Sequence, residues 1–199
     1  MRRLLVTIAC AAALALLAGC AGSGAVPASS ASSPTSASSG LPEPIPTPWL
    51  GTGPGDLSTE VVNALLEIRE TGPTLYPEHF AGVSTGTPAS ADVLVIFLAD
   101  STEEIEANFR SIAKLPEDEL RFETAYQSLE AAERVDRLLT AGVDALRARG
   151  IELQTYGVGV DGVEEIGMDH PTDEQVEYLF ATYGPYLRVD RNVAPARLL

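Results

Sequence analysis

Ser101-Thr-Glu-Glu-Ile-Glu-Ala-Asn-Phe-Arg-Ser-Ile-Ala-Lys114 is echoed later in the chain by Thr172-Asp-Glu-Gln-Val-Glu-Tyr-Leu-Phe-Ala-Thr-Tyr183. Each stretch opens on a hydroxyl residue followed three places on by Glu104 or Gln175. That is a capping box, in which each side chain satisfies an orphan amide of the first helical turn. Glu103, Glu104 and Glu106 favour the positive end of the first helix, and Arg110 and Lys114 its negative end. With Ser101 set against Thr172, the stripe Ile105, Phe109 and Ile112 falls on Val176, Phe180 and Tyr183. Helices are expected over 101–114 and 172–183, the second stopped by Gly184-Pro185.

The flanks agree with the echo. Phe80 to Val83 and Val93 to Leu98 read as strands before the first helix, joined by a loose hairpin over Thr85 to Asp92. Glu152 to Val158 and Val163 to Met168 read as strands before the second. Leu120 to Thr124 and Tyr186 to Asp190 follow as closing strands. Gly82-Val83 is set against Gly157-Val158, Val93 and Ile96 against Val163 and Ile166, and Leu120-Arg-Phe-Glu123 against Leu187-Arg-Val-Asp190. Val93 to Leu98 is apolar without alternation, as expected of a strand covered on both faces. The pattern predicts a duplicated ββαβ unit, over about 76–125 and 151–191. A right-handed crossover in each lays the last strand parallel to the one before it, giving mixed sheets.

A long helix, Ser128 to Arg149, is expected to join the units. Leu129, Ala132, Val135, Leu139, Gly142 and Leu146 recur at helical spacing, and Gly150 ends it. Gly142 costs about 1 kcal/mol relative to alanine in a helix interior, so it is expected to admit a close neighbour. A shorter helix precedes the first unit from Ser58 to Glu70, with Val61, Leu65 and Ile68 inward and Gly72-Pro73 as its stop. The fold class is α+β. Pattern alone leaves open whether the units share one sheet or form two.

Upstream the chain reads as an address. Arg2 and Arg3 precede an apolar stretch from Leu4 to Leu17, shorter than the roughly 20 residues a spanning helix needs. Leu17-Ala-Gly-Cys20 resembles the lipobox of bacterial lipoproteins. That resemblance implies a signal peptide over 1–19, cleavage before Cys20, and diacylglyceryl and palmitate chains on the new terminus. The chain would then be held at the extracytoplasmic face of the cell membrane, within the cell envelope. Residues 20–48 are mostly Ala, Gly, Ser, Pro and Thr and read as a tether, with a coil reach of about 30 Å. Pro42 to Pro48 is expected to stiffen into an extended spacer. Residues 49–199 form a single domain of about 150 residues, enough for one core.

The two cysteines are Cys10, in the signal, and Cys20, so the domain is expected to have no disulfide and no thiol nucleophile. The net charge is −15; without Arg2 and Arg3, 11 basic residues face 28 acidic ones, a net of −17. Nucleic-acid binding is disfavoured, because phosphate contacts need Lys and Arg. The acidity suits a solubilising surface, and also cationic partners or divalent ions.

Catalytic motifs are sparse. Gly157-Val-Gly-Val-Asp-Gly162 fits G-x-G-x-x-G, but a strand follows it where the dinucleotide fingerprint requires a helix, so a hairpin turn is expected. His79 and His170 sit in loops without an i, i+4 partner. His170 has Asp169, Asp173 and Glu174 nearby, which helix-start acids account for without a metal. Glu164 and Glu165 are adjacent in a strand and point to opposite faces. No catalytic residue, metal site or cofactor is assigned.

Tyr76-Pro77, Phe80-Ala-Gly-Val83, Tyr126-Gln-Ser-Leu-Glu-Ala-Ala132, Gly150-Ile151 and Gly157-Val158 together resemble two groups. One is a set of uncharacterised secreted proteins of high-GC Gram-positive bacteria. The other is the pro-region of alpha-lytic-type secreted serine proteases. The resemblance covers about residues 74–190. It implies a domain that assists folding of a protease and inhibits it through an edge strand and a C-terminal tail, here Arg191 to Leu199. No protease follows in this sequence and a lipid anchor is expected before it, so a folding role in cis is not expected. What the resemblance leaves is strand addition by an extended partner segment. The expectation is a non-enzymatic binding module, its partners being membrane lipid through Cys20 and an envelope protein or protease. A hydrolase or metal-dependent enzyme built on His170, and a passive structural lipoprotein, stand as alternatives.

Overall fold

Hydroxyl caps start the helices. Ser58, Thr102, Ser128 and Thr172 each accept, through the side chain, a hydrogen bond from the amide three residues on. The computed structural model describes residues 41–47, 57–87 and 90–194. Cys20, the signal segment and the last five residues of the tail lie outside the described residues. The elements run α1 (Thr59–Leu75), β1 (Phe80–Thr87), β2 (Ser90–Leu98), α2 (Glu103–Ala113), β3 (Leu120–Thr124), α3 (Leu129–Ala148), β4 (Leu153–Val158), β5 (Glu164–Met168), α4 (Asp173–Tyr183) and β6 (Leu187–Asp190). A short 3-10 turn over 117–119 leads into β3.

The strands form two separate sheets, ordered β1-β2-β3 and β4-β5-β6. In each, the first pair is antiparallel and the second parallel, the product of a crossover helix. The duplicated ββαβ pattern is therefore real, and it is longer than its sequence outline. The long helix follows the first unit and leads into the second, and it has a packing role as well: α3 packs on β4, β5 and α4 as α1 packs on β1, β2 and α2, and it also meets β1. Ser58 and Ser128, Gly72 and Gly142, and Thr102 and Thr172 each stand 70 residues apart. The repeat is αββαβ.

A shared defect supports duplication over convergence. Phe80 pairs with Leu98 and the register then slips, leaving Ala81 as a bulge before Gly82 meets Phe97. Leu153 pairs with Met168 and slips likewise past Gln154 before Thr155 meets Gly167. A generic amphipathic pattern gives no reason for the same bulge at the same place.

Several sequence boundaries move. The first capping residue is Thr102, not Ser101, whose hydroxyl instead donates to Glu106 at 2.8 Å. The helices therefore align one residue differently from the Ser101–Thr172 match. The bulges place Gly82-Val83 against Thr155-Tyr156 and not Gly157-Val158. Gly72-Pro73 does not stop α1, which runs on to Leu75. Proline there removes one donor, and the carbonyl it leaves belongs to exposed Arg69. Phe80 packs directly on Gly72, and Tyr76 N–H closes the turn on the Gly72 carbonyl at 3.0 Å. The loose hairpin is tighter than expected, since pairing extends to Thr87 and Ser90.

Each sheet buries one face under its own two helices. Ile68 of α1 and Phe109 of α2 meet Phe80, Leu94, Ile96 and Leu98. Leu139 and Leu146 of α3 and Leu179 of α4 meet Ile166, Met168 and Leu187. The tyrosine hydroxyl of Tyr183 lies against Gly142, the close neighbour its glycine admits. Val93, Val95 and Phe97 fill the opposite face of β2, so that strand is indeed covered on both sides, with Val160 of the β4–β5 turn packed there. That turn joins the repeats. Tyr126 N–H donates to the Asp161 carbonyl at 3.0 Å, and Gly162 lies hard against the Gln127 carbonyl.

Candidate functional site

Three arrangements carry chemistry. The first is centred on Arg188 of β6, whose side chain is 11% exposed. It points to the sheet face away from α3 and α4. Asp161, 4% exposed, accepts from one guanidinium nitrogen at 2.5 Å, and Glu165 from the other at 2.7 Å. Asp161 is fixed in turn, accepting from Val163 N–H at 3.4 Å. The G-x-G-x-x-G stretch is thus a hairpin turn, closed by Gly159 N–H on the Val163 carbonyl at 2.8 Å. Its acid serves an arginine, not a phosphate. Two further Arg188 donors go to the carbonyls of Ile45 (3.2 Å) and Pro46 (2.6 Å). Part of the proline-rich stretch expected as an extended spacer is thus held against β6; Pro48 lies outside the described residues.

The second is Glu164, on the opposite face of the same sheet. It is fully buried, and no donor meets either carboxyl oxygen in hydrogen-bond geometry. Burial pushes its pKa from an ordinary 4.5 up to about 7; the carboxylates of Asp136 on α3 and of Glu165 push the same way, and the Gly157 amide pulls against them. Adjacent Glu164 and Glu165 do face opposite sides, as alternation requires. A carboxyl held near 7 has the proton affinity of a general acid or base. Closed away from solvent, this one has no substrate within reach.

The third is a cleft of about 540 Å³ between the repeats. Its floor is β1 from Phe80 to Thr85. Leu65 and Arg69 of α1 form one wall, Leu129 and Glu133 of α3 the other, and Val158 to Val160 close one end. Among the described strands β1 pairs only with β2, so its outer edge faces this cleft without a strand partner. The volume lies in the range of ligand-binding clefts.

The histidines do not converge. Nδ1 of His79 stands 3.1 Å from the Asp100 carbonyl. His170 is 81% exposed and 3.7 Å from Asp169, while Asp173 is engaged by Arg191 at 2.6 Å. Among the described residues no group of three or more His, Cys, Asp or Glu is placed to hold a metal ion. Also among them, no helix is long and apolar enough to cross a membrane.

Sequence reasoning passed over Arg188, Asp161 and the Glu164–Asp136 pair. One signal was available for Glu164: aligning Val93 with Val163 sets Leu94 against it, a core leucine exchanged for a carboxylate. No protein-family model matches the chain, and no curated protein matches it.

Proposed function

We propose that the chain is a lipid-anchored, extracytoplasmic module that binds an extended segment of a partner protein along β1, without catalysis. The supporting observation is the cleft beside the unpaired edge of β1. An open strand edge offers main-chain donors and acceptors to any extended chain, and the flanking pockets choose among side chains. Leu65, Val83 and Leu129 give that cleft apolar walls, and Arg69 and Glu133 give it one charge of each sign. The partner is an envelope protein or protease. The anchor is lipid on Cys20, which keeps the module where such partners are.

A photoreactive residue at Ser84 or Thr85 in intact cells is expected to yield one discrete protein adduct, absent when the same group is placed at exposed Glu177. Ser84→Lys, which puts a charge on the edge strand, is expected to abolish the Thr85 adduct. Identical adduct patterns at all three positions, or an adduct indifferent to Ser84→Lys, would remove the β1 assignment. The anchor has its own test. Each buried methylene contributes about 0.8 kcal/mol, so loss of the acyl chains releases the protein. Cys20→Ser is expected in the soluble or unprocessed fraction; processed Cys20→Ser protein that stays with the membrane would refute lipidation there.

A further inference from the structure

Leu41 to Thr47 forms no helix or strand, yet it is seated in a definite place. Leu41 and Ile45 are half-buried, and Pro42, Pro44 and Pro46 are exposed. The segment borders an apolar cleft of about 280 Å³, whose other wall is Val176 and Phe180 of α4 with Val189 of β6. At its end the Ile45 and Pro46 carbonyls accept from Arg188.

The two sides match chemically. Proline lacks an N–H, so Leu41-Pro-Glu-Pro-Ile-Pro-Thr47 presents a main chain rich in acceptors and poor in donors. A guanidinium is donors only, in a fixed planar fork. Asp161 and Glu165 hold that fork before any ligand arrives, so little rotamer freedom is left to lose on binding. Extended proline-rich chains are themselves stiff, which lowers the entropy lost on docking. The first repeat lacks the device: Arg121, the counterpart of Arg188, is exposed on β3.

We infer that the groove between α4 and β6 is a recognition site for proline-rich extended peptides, with the chain's own Leu41–Thr47 as its resident ligand. A tethered ligand competes at an effective concentration near the millimolar range. A peptide supplied from outside therefore binds weakly until the resident segment is disabled.

The test uses the full mature chain and a fluorescent peptide of sequence Leu41–Thr47. Leu41→Ser with Ile45→Ser in the chain removes both resident anchors, and the peptide is expected to bind this variant at least ~10-fold more tightly than the unaltered chain. Adding Arg188→Lys keeps the charge beside Asp161 but loses the fork, and affinity is expected to fall by ~10-fold or more. Equal affinity for both backgrounds, no binding to the disabled chain, or binding indifferent to Arg188→Lys would each overturn the site. Unfolding of Arg188→Lys would leave a second measurement. A photoreactive group at the Ile45 position of the peptide is expected to attach to Phe180 or Val189 in the disabled chain. Attachment elsewhere would overturn the site equally.

Discussion

Glu164→Leu is expected to stabilise the protein by about 3 kcal/mol more at pH 8 than at pH 4. The carboxyl is fully buried, no donor meets it in hydrogen-bond geometry, and its pKa is raised to about 7. The unfolded chain releases this proton near an ordinary 4.5, the folded chain only near 7. Below the lower value both states keep the proton and nothing is lost. Between the two values stability falls as pH rises, by about 1.4 kcal/mol per unit. Above about 7 both states are ionised, and the loss is complete. Leucine carries no such penalty and is the residue the first repeat uses at this place, Leu94, itself fully buried. Asp136, which faces Glu164 from α3, also loses a repelling neighbour. Urea unfolding of both proteins at pH 4, 6 and 8 reads the effect. A gain that is the same at every pH would mean that Glu164 does not titrate in this window.

The second large effect concerns two glycines with nearly the same positive φ. Gly150 and Gly162 have φ of +76° and +75°. An alanine at either is strained by roughly 1–2 kcal/mol, because its Cβ crowds the following carbonyl in the left-handed region. At Gly150 nothing else lies within 4 Å of the added carbon. At Gly162 the carbon is driven into the Gln127 backbone carbonyl, which has no soft side chain to yield. Gly150→Ala is therefore expected to cost about 1–2 kcal/mol, and Gly162→Ala about 4 kcal/mol or more. The excess measures the joint between the repeats, since moving Gln127 also disturbs the Tyr126 bond to Asp161. Denaturant midpoints of the two variants compare them directly. Equal losses would mean that the joint gives way without resistance.

Local rules carried most of the fold. Hydroxyl caps and apolar stripes located all the helices named from sequence, Gly150 and Gly184 followed the ends of α3 and α4 where Gly72 did not end α1, and the unbroken apolar run 93–98 told correctly of a strand covered twice. What failed was register. Ser101 and Thr102 both satisfy a capping pattern, and only the observed bond to Ile105 N–H separates them. The Gly-Val pairs at 82 and 157 look alike as letters, but a bulge in each strand sets Gly82 against Thr155. Bulges are tertiary facts with no fixed residue signature. That the long helix is also the second repeat's counterpart of α1 was not legible, because joining helices and packed helices share one amphipathic pattern. The candidate sites were less legible still. Arg188 draws together residues 45, 46, 161 and 165, and the cleft draws together α1, β1, α3 and the β4–β5 turn. Such sets are assembled by chain reversal, which no window along the sequence can see.

Both sheets close entirely within their own repeat, and that governs the order in which a chain made from its N-terminus can fold. Every strand pairing of the first sheet is available once residue 124 has been made and released, before α3 has emerged. Short-range pairings of this kind form quickly. The apolar row Val93, Val95 and Phe97 then waits uncapped until Val160 arrives with the second repeat. Through that interval the half-made chain carries a sticky, water-facing sheet, the kind of surface that misassociates. A folding assistant would meet this protein first at that row.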